Sequence, residues 1–341
     1  MLRGAILGFG NVAVHGHAPG WRRRRDVEIV AVTDTRPAQR ALLGAHLPGV
    51  GWRASAEALL AEPGLDFVDI CTPPSSHAPL IRAALERGLH VLCEKPLVSS
   101  PAELEPLAAL AAAKGRVLHT VHNWHHAPIV RRTRELVRDG RIGRVTRVVW
   151  ETLRTRPAAT SGDGDDNWRL DPAVAGGGVL TDHGWHVFYV VQGWIGEAPR
   201  TVSARLETRR HTRWPVEDTA TVRVAFEGAT AEILLTWAAA ARRNWAQLTG
   251  TEGTLELLDD TIVLRRRGAE ERWPCPPPLS DGSQHPEWFD AVAGQFVAEL
   301  AAPAAGGGNL AEASLCVALE HAARASSRAG GRGVDVAEAA V

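Results

Sequence analysis

The chain has 341 residues, 45% of them apolar and 23% charged, with a formal net charge of −1 and a pI near 6.9. This is the composition of a soluble globular protein, it gives no long-range pull toward nucleic acid or an anionic membrane, and the length favours two domains over one core. No apolar run approaches the ~20 residues of a membrane span, and Cys71, Cys93, Cys275 and Cys316 lack the Cys-x-x-Cys spacing of a zinc ribbon or a disulfide framework.

"MLRGAILGFG" at the N-terminus does not have the layout of a signal peptide, so a reducing cytoplasm is the expected location. The first ~120 residues alternate short apolar runs with amphipathic helical patterns. "GAILGFG", "VEIVAVTD", "LDFVDICT", "HVLCEK" and "RVLHTVHN" read as strands, with helices such as "HAPLIRAALERG" and "PAELEPLAALAAAKG" between them. Continuous apolar strands separated by helices predict a doubly wound parallel sheet over residues 1–121. Arg22 to Arg25 fall where the first helix should end and read as a solvated, dipole-complementing C-terminus.

From residue 122 to 341 the rhythm changes. One helix, "PIVRRTRELVRDG", precedes long period-two segments, among them "RVTRVVWETLRT", "TATVRVAFEG" and "ATAEILLTWAAA". These predict a mostly antiparallel sheet with one covered face, followed by a closing helix, "NLAEASLCVALEHAARASSRAGG".

"LGFGNVA" sets Gly8, Gly10 and Ala13 as G-x-G-x-x-A between a predicted strand and a predicted helix. Glycines there allow a tight turn and close approach to a pyrophosphate at the helix N-terminus. Asp34 ends the second strand about 20 residues later, where a carboxylate accepts from ribose hydroxyls and repels a 2′-phosphate. NAD is therefore expected over NADP, although Arg36 and Arg40 lie near enough to soften the preference. "CTPPSSH" follows the next long strand and should cover the cofactor as extended backbone.

"AGGGVLTDHGWHVFYVVQGW" begins with three glycines and continues as an apolar helix. Asp182 and His186 are four apart, on one helical face, so the carboxylate should hold the imidazole for proton transfer. Tyr189, the only tyrosine, follows three residues on. A metal site of Asp182, His183 and His186, completed from His122, His125 or His126, is an alternative. No metal is expected.

In chain order "GFGNVA", "CTPPSSH", "CEKP", "GGGVLTDHGWH", "VEDTATVRVAFEGATAEI" and "GTEGTLEL" resemble the Gfo/Idh/MocA family, which takes in glucose–fructose oxidoreductase, inositol dehydrogenase and rhizopine-catabolism proteins. The resemblance implies a Rossmann domain followed by an α/β domain with a large open, mostly antiparallel sheet, through which a homodimer or homotetramer would form. It puts Lys95, Asp182 and His186 in catalytic roles, in a site assembled from both domains, and implies that a cis Lys95–Pro96 bond aims the lysine. Cofactor contacts are expected from Gly8, Phe9, Gly10, Asn11, Val12, Asp34, Thr35, Arg36, Cys71, Thr72, Pro73, His77, Glu94 and Lys95. Substrate contacts are expected from Asn123, Trp124, His125, Trp168, Arg169 and His183, with His122 and Trp185 in the same wall. Donors interleaved with indoles suit a polyhydroxylated ring, a sugar or cyclitol.

Two features depart from the family pattern: Tyr189 stands where many members have an acid, and "HNWHHAP" lacks an arginine. Both fall on the substrate side. "SGDGDDNWR" reads as a flexible acidic loop near the site, and Arg154, Arg156 and Arg169 either bind an anionic group or are strand-face charges. The expected activity is hydride transfer between a nicotinamide and a secondary alcohol or ketone of a sugar, sugar acid, nucleotide sugar or cyclitol. A non-catalytic cofactor-binding sensor of the same fold is the runner-up, and a reductase of a non-sugar carbonyl or imine stays open.

One lysine raises a question of its own. Among 38 Lys plus Arg only Lys95 and Lys114 are lysines, and Lys95 sits in "CEKP". An ammonium is a compact donor on a flexible stem, whereas a guanidinium needs a fork-shaped partner.

Overall fold

The computed structural model describes residues 1–160, 167–302 and 307–340. The "SGDGDD" segment, 161–166, lies outside the described residues. The first part of the chain runs β1 (Leu2–Leu7), α1 (Ala18–Arg23), β2 (Val27–Thr33), α2 (Arg40–His46), β3 (Gly51–Trp52), α3 (Ala56–Leu60) and β4 (Phe67–Ile70). It continues through α4 (His77–Glu86), β5 (His90–Cys93), α5 (Pro101–Lys114) and β6 (Leu118–Thr120). The six strands pair in parallel in the order β3-β2-β1-β4-β5-β6, the doubly wound sheet expected. β4 is buried at every position, as a strand covered on both faces must be. β1 lies between β2 and β4, so the strand order reverses there. In such sheets ligands gather beside the carboxyl ends at that point.

Next come α6 (Pro128–Arg138), β7 (Val145–Leu153), α7 (Pro172–Ala175), α8 (Trp185–Ile195), β8 (Thr201–Glu207), β9 (Thr219–Ala225) and β10 (Thr230–Thr236). They are followed by β11 (Arg243–Gly250), β12 (Thr254–Leu257), β13 (Thr261–Arg266), β14 (Ala269–Pro274), α9 (Pro286–Ala301), α10 (Gly308–Arg328) and β15 (Val334–Asp335). Nine strands form the second sheet in the order β14-β13-β12-β11-β7-β10-β9-β8-β15. Every pair is antiparallel except β7 with β10. β7 alternates buried with part-exposed residues, and α8 packs against it. α8 is buried nearly all round, from Trp185 to Trp194, and ends on Gly196 with a φ of 74°. No described helix is long and apolar enough to cross a membrane.

The chain divides into two compact units. The first holds Met1–Asn123, Ala159–Trp168 and Ser283–Ala313, and the second holds Trp124–Ala158, Arg169–Gly282 and Ser314–Val341. The cut expected after residue 121 lies near the first crossing, but the later return of α9 to the first unit has no periodic signature. Packing explains it: Phe289 and Phe296 of α9 meet Trp21 and Phe67 edge-on inside the first core.

Two π-helical turns interrupt the helices, Ala13–His17 ahead of α1 and Leu180–Gly184 ahead of α8. Such turns mark functional sites more often than plain helix does. The second follows a tight approach. A Cβ on Gly178 would lie 2.0 Å from the backbone oxygen of Glu217, which also accepts the Val179 N–H at 3.0 Å. Gly178→Ala is therefore expected to destabilise the chain by about 1–3 kcal/mol, the range for overpacking. Denaturant unfolding measures this, and an unchanged midpoint would show that the Glu217 segment yields without cost.

Candidate active site

In the first unit the loops after β1, β2, β4 and β5 carry the expected cofactor residues. Gly8 has a φ of +89°, and a Cβ there would sit 2.9 Å from the backbone of Cys71. Only glycine fits this turn, and it leaves the close backbone approach that a pyrophosphate needs. The side chain of Asp34 is 6% exposed, and its oxygens accept the amides of Phe9 (2.7 Å) and Arg36 (2.8 Å). Arg36 Nε stands 3.3 Å from the same carboxylate. Asp34 thus ties the glycine turn to the end of β2, the position at which a ribose-binding carboxylate was expected. Asn11 donates to the Ala159 carbonyl at 3.2 Å, and Thr72 accepts from Ser76 at 2.7 Å. A dinucleotide fits this donor and acceptor set.

Two of the expected cofactor residues turn their side chains to internal partners. His77 is fully buried, with Nδ1 2.7 Å from the Pro96 carbonyl and Nε2 2.8 Å from that of Thr72. Both nitrogens are occupied, so His77 clamps the covering loop to the Lys95–Pro96 turn and has none left for a cofactor. Burial pulls its pKa down against the pull of those carbonyls. Cys71 likewise turns its sulfur inward, 3.2 Å from His17 Nδ1, and burial pushes the thiol pKa up. Only its backbone faces the glycine turn.

The turn after β5 holds Glu94 and Lys95. Burial would raise the pKa of Glu94, but a hydrogen bond and the charge of His17, with Lys95 beside it, keep it below the usual carboxylate value. Glu94 Oε2 accepts the Lys95 amide at 3.0 Å, and the Lys95–Pro96 bond is cis. Nearby, His122 is buried and pairs with Glu312 at 2.7 Å.

In the second unit His186 is the centre of a buried cluster. Its ring stacks on Trp124 with centroids 4.6 Å apart and planes 9° from parallel. His186 Nδ1 lies 2.9 Å from Tyr189 Oη, which also accepts the Trp124 amide at 3.0 Å. His125 packs against Tyr189 at 4.5 Å and takes a hydrogen bond from Arg134. Sequence spacing assigned the orientation of His186 to Asp182, whereas here Tyr189 meets Nδ1. Asp182 lies in the π-helical turn that precedes α8, and its carboxylate is 3.6 Å from Arg169 Nε and 3.4 Å from His183 Nε2.

Arg154 is buried and donates to the carbonyls of Leu153 and Arg243 and to Asn244. Burial and the neighbouring Arg242 pull its pKa down to about 10, against the carboxylates of Asp259 and Asp182. Arg154 is therefore part of the framework behind Asp182, and Arg156 is exposed. Trp185 is fully buried in the core and is not a pocket wall. Asn123 and Trp168 belong to the first unit and Arg169 to the second. The role of Tyr189 was visible only as a lone tyrosine three residues beyond a histidine.

Residues 2–122 match the model of an oxidoreductase family with an NAD-binding Rossmann fold, and residues 130–256 match a GFO/IDH/MocA C-terminal domain. A dTDP-3,4-didehydro-2,6-dideoxy-alpha-D-glucose 3-reductase of Streptomyces antibioticus is 32% identical over 260 residues, 75% of each chain. A D-apiose dehydrogenase of Paraburkholderia graminis is 27% identical over 287 residues, 82% of this chain and 74% of that one. A 1,5-anhydro-D-fructose reductase of Ensifer adhaerens is 28% identical over 287 residues, 81% of this chain and 84% of that one, while some similarities are shorter, one spanning 36% of an uncharacterised oxidoreductase of Bacillus subtilis. Among solved structures, GenD2 from gentamicin A biosynthesis, in complex with NAD, superposes with a TM-score of 0.82 at 25% identity, covering 98% of this chain and 96% of its own. The chain belongs to the Gfo/Idh/MocA family of NAD-binding oxidoreductases.

Proposed function

We propose that the protein is an NAD-dependent oxidoreductase that interconverts a secondary alcohol and a ketone on a sugar, sugar acid, nucleotide sugar or cyclitol. The observation that carries this reading is the buried His186, stacked on Trp124 and held at Nδ1 by Tyr189. A ring fixed at one nitrogen presents the other for proton transfer. The named relatives act on a dTDP-sugar and on apiose, which supports a polyhydroxylated substrate. The cofactor, when bound, exchanges a hydride with the carbinol carbon. His186 takes or returns the hydroxyl proton at Nε2 while Nδ1 donates to Tyr189. Lys95 donates to the reacting oxygen and stabilises the negative charge that grows on it. Asp182, paired with Arg169 and His183, sets the polar environment on the same π-helical turn.

The same reading takes the protein to be cytoplasmic, with Cys71, Cys93 and Cys275 as thiols, and to assemble as a homodimer or homotetramer through the nine-stranded sheet. Cofactor fluorescence with a panel of cyclitols, aldoses, sugar acids and nucleotide sugars tests the activity. NADH binding without turnover of any panel member would favour a sensor, and turnover of a simple ketone or imine alone would favour a different reductase.

Four variants sharpen the reading. NAD is expected to bind more tightly than NADP, and Asp34→Ser to cut that preference about tenfold or more, because loss of the carboxylate releases Arg36 toward a 2′-phosphate. Equal affinities in the unmutated protein would remove the role given to Asp34. His186→Ala should lower kcat by about 10²–10⁴-fold with NADH affinity retained, and Tyr189→Phe by less, since the stack on Trp124 remains. Unchanged turnover in the His186 variant would take it out of the mechanism. Lys95→Arg should lose about 10²-fold in kcat, because a planar fork does not replace a compact donor. An arginine variant with near-normal turnover would leave Lys95 as a bystander.

A further inference from the structure

A buried polar cluster in the first unit is centred on a histidine that is not among the expected site residues. His17 ends the first π-helical turn and is 1% exposed, with one ring face stacked on Phe289 at 3.8 Å. Its Nδ1 lies 3.0 and 2.9 Å from the two oxygens of Asp69, and its Nε2 lies 3.0 Å from Glu94 Oε1. Trp21 Nε1 donates to Asp69 at 2.7 Å, and the Cys71 thiol stands 3.5 Å from the same carboxylate.

Carboxylates only accept, and a neutral imidazole has one N–H. With both nitrogens against carboxylate oxygens, a neutral ring would press a lone pair onto an anion at 3.0 Å or less. The arrangement therefore calls for an imidazolium, one cation between two buried anions. Burial opposes that charge, but the carboxylate of Asp69 outweighs it and raises the pKa of His17 well above its usual value.

We propose that His17 is a positioning residue for Lys95: it ties the helix that follows the glycine turn, through Asp69 on β4 and Glu94 after β5, to the backbone that carries the lysine. Glu94 is the link. One of its oxygens accepts from His17, and the other accepts the Lys95 amide at 3.0 Å. On the far side of the turn His77 holds the Pro96 carbonyl at 2.7 Å. The two histidines thus fix the residues on either side of Lys95. The registry matters because a donor displaced by about 1 Å can lose 10²-fold in rate. Removing His17 would leave Asp69 and Glu94 buried with one shared cation fewer, and Glu94 would turn toward solvent or take up a proton. In either case it would release the Lys95 amide.

His17, Asp69 and Cys71 also offer three ligand atoms within reach of one cation. The hydrogen-bond pattern favours the proton. The oxygens of Asp69 already take His17, Trp21 and the thiol, and burial holds that thiol protonated.

This inference rests on the reading that Lys95 donates to the reacting oxygen, and the chain allows the two to be tested apart. Lys95 and Lys114 are its only lysines. Protein labelled with ε-¹³C lysine therefore gives two side-chain resonances, assigned by Lys114→Arg. In His17→Gln the Lys95 resonance should shift and broaden while that of Lys114 stays in place, and in the native protein both His17 nitrogens should show bound protons at pH 8. Turnover of the alcohol found in the panel should fall about 10–100-fold with NADH affinity nearly unchanged. In a Lys95→Ala background His17→Gln should cost nothing more, because the two act as one unit. Glu94→Gln gives the same readouts should His17→Gln not fold.

An unmoved Lys95 resonance, losses that multiply in the double variant, or a neutral His17 ring would each overturn the positioning role alone. Full turnover in Lys95→Ala would overturn the catalytic reading and this inference with it. A cobalt–thiolate absorption band on adding Co²⁺ to the native protein would replace the proton with a metal.

Discussion

One backbone position governs where the first sheet delivers its polar groups. Gly8 leaves β1 at a φ of +89° with the Cys71 backbone only 2.9 Å from where a Cβ would be. That contact draws the end of β1 against the end of β4. The neighbouring amide of Phe9 then falls on Asp34 at the end of β2. Three strand ends are joined through one turn, at the place where the strand order reverses. Any side chain at residue 8 would push β4 away, and with it Asp69, Cys71 and the covering loop. The dinucleotide fingerprint is therefore a packing constraint as much as a binding one.

The parallel sheet was legible because its strands are continuous apolar runs, and β4, "FVDI", is buried at all four positions. The second sheet was legible as alternation, seen in β7. Partner choice was not. The parallel pairing of β7 with β10 inside an otherwise antiparallel sheet depends on contacts some 80 residues apart, and no local pattern encodes them. β15, only two residues long, carries no period at all. The return of α9 to the first unit was invisible for a related reason. Its apolar stripe would suit either core, and the ring contacts of Phe289 and Phe296 select one.

At the site, residue types were legible and their geometry was not. The resemblance put Lys95, Asp182 and His186 in catalytic roles, and spacing alone assumed an α-helix through Asp182, where the structure has a π-helical turn. Hydrogen-bond register at such a turn is set by tertiary packing, here by the approach of Gly178 to Glu217, which sequence does not display. The consequence is chemical. A carboxylate at Nδ1 would stabilise an imidazolium by charge, whereas the phenol of Tyr189 offers a neutral partner in a site closed by Trp124. Charge in this unit is concentrated instead around Asp182, where Arg169 and His183 face the carboxylate and Arg154 and Arg242 add positive field behind it.

The division of basic residues follows from the same physics. Arginines supply exposed pairs such as Arg147 with Glu232 and Arg265 with Glu256, where a fork meets a carboxylate at little cost in desolvation. Histidines take the buried positions, His17, His77, His119, His122 and His186 among them, because an imidazole is planar and packs against aromatic rings. It can also carry a proton on either nitrogen or on both, to match the acceptors around it. A lysine meets neither need well: its stem is costly to order, and its ammonium is the most strongly hydrated of the three. A chain that has given up lysine at all but two positions keeps Lys95 on a turn whose backbone is held by Glu94 on one side and His77 on the other. A fixed backbone beneath a long stem suits the part proposed for Lys95, a donor that reaches one oxygen and follows it as its charge changes. A guanidinium anchored by several donors would resist that motion, and this is the physical reason for the exception.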